Sequence, residues 1–216
     1  MAKSTTGGGK RRRPYHHGDL RRALLDEALT TIGTEGVDGL TLREIGARVG
    51  VSRTALYRHF ADKRDLLTAV ATEGFRTLRL QLVAAWEEGG RGSDALEAMG
   101  DAYIGFAIAN AAHYRVMFGS FVDLEEREPE LAGEAGGAFQ ALVDALAALQ
   151  QEGIVRGDDT VRMATFVWSV VHGMATLAID GQLPEPAGIE EVRRYALGRL
   201  MAGLAPAAAP RGRGRR

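Results

Sequence analysis

The chain has 216 residues, 45% of them hydrophobic and 25% charged, an ordinary globular composition with length for one or two domains and a sizeable core. It contains no cysteine, which excludes disulfide scaffolds, thiolate metal sites and cysteine nucleophiles and fits a reducing cytoplasm. The formal net charge of -1 conceals a split, because residues 1–65 carry +5, residues 66–210 carry -10 and the last six residues add +4. A basic front and an acidic body point to a polyanionic partner for the front and a different role for the rest.

Residues 1–17 read as a flexible basic arm, with Lys10-Arg11-Arg12-Arg13 leading into Pro14-Tyr15-His16-His17. No apolar stretch follows the basic run, so no signal peptide is expected. Beyond the arm, strand-type alternation is missing and apolar residues recur at helical spacing, which gives an all-α class. A first helix is expected over Leu20 to Thr34, with Leu20, Leu24, Ala28 and Ile32 in one row and Gly36 ending it. Thr41-Leu42-Arg43-Glu44 is a capping box that starts a short helix from Leu42 to Val49, with Ile45 and Val49 inward and Gly50 as its stop. Ser52 caps a third helix, Arg53 to Phe60, whose apolar positions are Ala55, Leu56 and Phe60. Asp62 caps a longer fourth helix running to about Glu88. Further helices are expected near 93–111, 112–119, 128–152, 159–180 and 188–204, with Gly136-Gly137 weakening the first turns of the one over 128–152. Residues 205–216 read as a disordered, Arg-rich tail.

Two short capped helices joined by Val49-Gly50-Val51-Ser52 form a helix-turn-helix unit, here the centre of a three-helix domain over 18–65. In such a unit the second helix presents small and basic residues at its N-terminal end, where base edges are reached. Arg53, Thr54 and Ala55 fill those positions, and Tyr57, Arg58 and His59 follow on the exposed side. Thr41 and Ser52 cap helix starts suited to phosphate, with Arg43 beside the first and Lys63 on the opening turn of the fourth helix. These ten residues are the candidate contacts to double-stranded DNA.

The stretch Ile45-Gly46-Ala47-Arg48-Val49-Gly50-Val51-Ser52-Arg53-Thr54-Ala55-Leu56-Tyr57-Arg58-His59-Phe60-Ala61-Asp62-Lys63-Arg64-Asp65-Leu66-Leu67, within a match over about residues 18–70, resembles the DNA-binding domain of the TetR/AcrR transcriptional regulators. Trp168-Ser169-Val170-Val171-His172-Gly173, with His113-Tyr114-Arg115-Val116-Met117-Phe118 upstream, is similar to the C-terminal domain of the branch with a Trp-x-x-x-His-Gly signature. The resemblance implies a homodimer, usually a repressor, that a small molecule releases from a near-palindromic operator. It also makes 66–204 the ligand-binding and dimerisation domain. The basic arm and the Arg-rich tail exceed the family core, and they read equally as extra DNA contacts or as solubilising ends.

Within the body, Arg162, Thr165, Ser169, His172, Thr176 and Asp180 stand 3, 4, 3, 4 and 4 residues apart, one polar stripe on a helix otherwise apolar from Met163 to Ile179. That 17-residue apolar run carries four polar side chains, so it reads as a helix buried against several neighbours and not as a membrane span. Gly173 suggests close approach by another helix. His172 reads either as a satisfied core histidine or as a ligand contact. Tyr103, Phe106, Met117, Phe118, Phe139, Trp168, Ser169 and His172 are the candidate wall of a pocket for a small, mostly apolar effector. The last helix carries Ile189, Val192, Tyr195, Ala196, Leu200 and Leu204 as a stripe for pairing with a second copy. The histidines are scattered and hydrolase, phosphate-loop, dinucleotide and metalloprotease motifs are missing, so no enzyme, metal or cofactor is expected. A helical adaptor that binds only protein is the alternative, but it leaves the basic, capped front without a purpose.

Overall fold

The computed structural model describes residues 17–121, 128–183 and 188–206, and among these every regular element is an α-helix. The expected arm and tail therefore lie outside the described residues, apart from His17 and the first two positions of the tail. The chain divides into two compact units, one up to Ala61 and one from Asp62 onward. That division falls four residues before the sequence-based boundary at 65, because the fourth helix belongs from its first turn to the second unit.

The first unit contains α1 (His17–Glu35), α2 (Leu42–Val49) and α3 (Arg53–Tyr57). Leu20, Leu24, Ala28 and Ile32 of α1 are all buried, as are Leu40, Ile45, Leu56 and Phe60. Each such fully buried Leu or Ile contributes about 1.5–3 kcal/mol relative to exposure. Val49 is only half-buried, and α3 stops at Tyr57 rather than Phe60. The reason is local: the His59 amide donates to the Leu56 carbonyl, three residues back, at 2.9 Å, which tightens the chain out of the α-helix. Phe60 keeps its buried place nonetheless, with the Arg21 guanidinium 5.3 Å from its ring centroid.

The second unit contains α4 (Lys63–Glu88), α5 (Ser93–Ala109), α6 (Ala111–Phe118), α7 (Pro129–Gln151), α8 (Thr160–Ile179) and α9 (Ile189–Leu204). α4 packs on α5, α6 and α7, and α8 packs on α5, α7 and α9. Asn110 makes the break after α5, since its amide N–H and its side-chain Nδ2 both donate to the Phe106 carbonyl, at 2.8 and 3.0 Å. α7 begins with Pro129 in its first turn and runs unbroken through Gly136 and Gly137. Arg76 and Arg79 of α4 hold Glu134 of α7 at 2.9 and 2.8 Å, and Arg76 also reaches Glu130 at 2.7 Å.

Three expectations for this unit need correcting. α8 is not buried all round, because Thr165, Ser169, Thr176 and also Val161, Phe166 and Leu177 are exposed. A β-carbon placed on Gly173 would meet nothing within 4 Å, so none of the described helices packs its atoms against it. α8 remains the one described helix long and apolar enough to cross a membrane, yet it sits in the unit against three other helices. The apolar stripe of α9 turns toward its own chain: Leu197, Leu200 and Leu204 are buried, and Leu197 lies where a β-carbon on Gly100 of α5 would stand. Only Tyr195, 66% exposed, faces clearly outward from that stripe.

Candidate functional site

The first unit builds its exposed surface from two capped helix starts. The Glu44 amide donates to the Thr41 hydroxyl oxygen at 3.3 Å, and that hydroxyl donates to the Glu44 carboxylate at 2.6 Å. The box thus closes hydroxyl to carboxylate, a variant of the usual return bond to the cap's own amide. Gly50 ends α2 at φ 78°, ψ 32°, a left-handed conformation that glycine adopts without a steric penalty. The Val51 amide then reaches the Gly46 carbonyl at 2.9 Å and the Gly50 amide the Ala47 carbonyl at 3.1 Å, the Schellman closure that turns the chain toward α3. α2 and α3 meet closely, since a β-carbon on Gly46 would stand 3.1 Å from Leu56 Cδ2. Arg48 fastens α2 back to α1 by donating to Thr31 Oγ1 at 3.1 Å and Glu35 Oε1 at 2.6 Å, so this cation is committed to structure.

What remains outward is the start of α3. The Ala55 amide donates to Ser52 Oγ at 3.2 Å, and Ser52, Arg53 and Thr54 are exposed. Tyr57 is 43% exposed with the Arg53 guanidinium 5.5 Å from its ring centroid, a cation–π contact that orients Arg53. Thr41, Arg43 and Arg58 are also exposed, and Ala55 and His59 are half-buried. Lys63, half-buried, lies beyond the division, on the first turn of α4.

The second unit contains a partly open cavity of about 760 Å³. Of the eight pocket candidates, Tyr103, Met117, Phe118, Phe139, Trp168 and His172 line it. Phe106 and Ser169 do not: Phe106 is buried elsewhere, and Ser169 is exposed on α8 with its hydroxyl donating to the Thr165 carbonyl at 2.7 Å. Sequence reasoning missed Phe75, Leu78 and Leu82 of α4 and Leu96 and Met99 of α5, whose 3- and 4-residue spacing marks core faces but not cavities. Phe118 is the hub of the aromatic wall, with ring centroids 5.3 Å from Phe75, 4.8 Å from Tyr114, 6.3 Å from Trp168 and 4.7 Å from His172. Phe139 meets Trp168 edge-on at 6.0 Å.

One polar cluster interrupts this wall. Tyr103 and Tyr114 bring their hydroxyls to 2.9 and 2.7 Å from the same atom, His172 Nδ1. Trp168 Nε1 donates to the Tyr103 hydroxyl oxygen at 3.1 Å. Burial pushes both phenols above their ordinary value, so both stay protonated, and burial also holds the His172 imidazole below its ordinary value. The histidine is therefore satisfied at one nitrogen and still part of a cavity wall. Among the described residues no group of three or more His, Asp or Glu side chains is placed to hold a metal ion.

Comparison with known proteins puts both units in context. Residues 24–70 match the family model for bacterial regulatory proteins of the tetR family, and residues 96–200 match that for the tetracyclin repressor-like C-terminal domain. An HTH-type transcriptional regulator of Mycobacterium tuberculosis H37Rv is 28% identical over 190 residues, covering 75% of this chain and 78% of that protein. A second, uncharacterized one from the same strain is 46% identical over 65 residues, which is 30% of this chain and only 27% of that regulator's own length. Among solved structures, a Rhodococcus sp. RHA1 protein of unknown function has a TM-score of 0.81 at 34% identity, covering 90% of this chain and 100% of that one.

Proposed function

We propose that this chain, which belongs to the TetR family of bacterial regulatory proteins, is a cytoplasmic, sequence-specific DNA-binding transcriptional regulator, a homodimeric repressor that a small, mostly apolar effector releases from its operator. The observation that carries the reading is the start of α3: capped by Ser52, free of acidic residues in its first turn, and presenting Arg53 and Thr54 outward beside Tyr57. Arg53 and Thr54 read base edges, while Thr41, Arg43, Tyr57, Arg58 and Lys63 position the unit on phosphates. The 760 Å³ cavity supports the effector half of the reading. The Trp168-x-x-x-His172-Gly173 pattern supports placement in the branch that bears this signature, since both named side chains stand on the cavity wall.

Support for the dimer comes from α8, where exposed Phe166 and Leu177 flank Gly173, whose surroundings are open in the single chain. An apolar face around a bare backbone suits a second helix, and a two-fold pair would set recognition helices about 34–36 Å apart on a near-palindromic site.

Fluorescence anisotropy on DNA from the promoter region beside the coding sequence tests the reading. Arg53→Ala and Thr54→Ala should shrink the ratio of specific to non-specific affinity. Lys63→Ala should weaken binding to all sequences alike and lower the salt slope by about one. Unchanged affinity and preference after combining the three substitutions would refute it.

A further inference from the structure

The polar cluster and the rest of the cavity wall together restrict what the cavity accepts, and the restriction rests on the effector-pocket reading above. No Lys, Arg, Asp or Glu side chain lines the cavity among the described residues. An ionised group seated against these residues would lose its hydration with no opposite charge among them to meet. Apart from the hydroxyls of Ser120 and Thr165, the side-chain hydrogen-bonding groups of the wall stand at one place, Tyr103, Trp168 and His172, with Tyr114 bonded to His172. Thr165 adds little, because its hydroxyl hydrogen goes to the Val161 carbonyl at 2.8 Å.

The direction of the hydrogen bonds in the cluster follows from counting protons. Tyr103 and Tyr114 each have one O–H to donate, and the nearest acceptor to both is His172 Nδ1, at 2.9 and 2.7 Å. Their hydroxyls stand 3.4 Å from each other, a much weaker alternative. The Tyr103 oxygen is already accepting from Trp168 Nε1 at 3.1 Å, which leaves its proton directed away from the indole. Nδ1 has a single in-plane lone pair, so it takes the Tyr114 proton at 2.7 Å as its main bond and shares that lone pair with the Tyr103 proton at 2.9 Å. The other acceptors in reach, each other's oxygen and the His172 carbonyl, are at 3.4 Å. A neutral imidazole that accepts at Nδ1 carries its hydrogen on Nε2. Burial keeps the ring neutral near pH 7. Among the described residues no hydrogen bond to Nε2 is found, and this nitrogen is not sealed from solvent.

We propose that the cavity takes an uncharged, largely aromatic or apolar ligand carrying a carbonyl-type hydrogen-bond acceptor, seated on the Nε2–H of His172. The two tyrosines and the indole fix the tautomer, so the site offers a donor and discriminates against ligands that lack an acceptor. The neutral wall discriminates against carboxylates that would otherwise use the same donor. Phe118, Phe139 and Trp168 present ring edges and faces to the remainder of the ligand.

Isothermal titration calorimetry on the full chain at pH 7.5 with three matched probes tests this: phenanthrene, 9-acetylphenanthrene and phenanthrene-9-carboxylate. The ketone should bind at least about tenfold more tightly than either companion. His172→Phe should bring ketone and hydrocarbon to equal affinity, and His172→Gln, which can accept from the tyrosines or donate through its amide, should keep part of the difference. A carboxylate as tight as the ketone, a ketone no better than the hydrocarbon, or no binding by any of the three would overturn the ligand class. If His172→Phe fails to fold, the wild-type ranking and His172→Gln decide the matter. DNA affinity of the ligand-free chain, read separately by anisotropy, stands or falls with the regulator reading alone. A ketone that binds as expected but leaves DNA affinity unchanged supports the ligand class and counts against the effector role.

Discussion

A cavity and a solid core respond oppositely to an added ring, and Ala138 is the place to add one. It sits on α7, 6% exposed, and contributes to the cavity wall. Ala138→Phe would bury about 100 Å² more apolar surface, worth about 2.5 kcal/mol at 25 cal/mol per Å². Ordering the new ring takes back about 0.5–1 kcal/mol. The net expectation is a stabilisation of about 1–2 kcal/mol. In a close-packed interior the same change costs about 1–3 kcal/mol, because the ring forces neighbours off their rotamers. The two cases differ in sign, so a urea unfolding midpoint at unchanged slope separates them. The filled variant should also lose affinity for 9-acetylphenanthrene while keeping its DNA affinity. A loss of about 1 kcal/mol or more at unchanged slope would refute the claim that space of this size stands beside Ala138.

Glu134→Gln should destabilise the second unit by about 1 kcal/mol at pH 7, read from the urea midpoint, because it removes one carboxylate from two arginines on α4. Arg79 and Arg76 hold this carboxyl below the usual carboxylate range, so its contribution is complete above that range and fades as pH falls toward the lowered folded value; a difference between variant and parent that does not shrink in acid would contradict this. For His172 the sign is the same but the window is higher. Its folded imidazole lies below the ordinary 6.5, so stability is complete above about that pH and is lost as pH falls from there toward the folded value. His172→Gln should flatten that part of the stability curve, and equal slopes would argue against a buried neutral ring.

The first unit was nearly all legible in sequence because its signals are local. Thr41 and Ser52 each cap through a side chain that reaches a backbone amide three residues on, as Asp62 does at the start of the second unit, and Gly50 stops a helix by a conformation that depends on one residue. The end of α3 was not legible, because whether His59 continues a helix or bonds Leu56 one step early depends on a turn that no local pattern announces. In the second unit, helix spans were readable from periodicity but side-chain destinations were not. Phe106 and Tyr103 are both buried aromatics on α5, three residues apart, yet only Tyr103 meets the cavity. Which of two neighbouring faces borders empty space is decided by the other helices. The same holds for Gly173, where the expected close neighbour is missing from the single chain, and for Leu200 and Leu204, whose stripe serves their own core.

The charge distribution limits how any effector of this chemistry can act. Residues 66–210 carry -10 and the described cavity wall carries no ionisable acid or base besides His172 and the phenol of Tyr103. A neutral ligand adds nothing to that field, so electrostatic repulsion of DNA cannot be its mode of action. Release must come from shape: the ligand has to bind one arrangement of the cavity helices better than another, by about 1.4 kcal/mol for each tenfold loss of DNA affinity. Helix α4 is the element on which such a preference can register, since Phe75, Leu78 and Leu82 are on the cavity wall and the same 26-residue helix begins one residue after Asp62, where the second unit starts. Its middle turns are tied to α7 through Arg76, Arg79 and Glu134, so a ligand that displaces α7 from α4 must work against those ion pairs. Contacts of this kind, exposed on one side, hold by only about 1 kcal/mol each, which is weak enough for a ligand seated on His172 to outweigh.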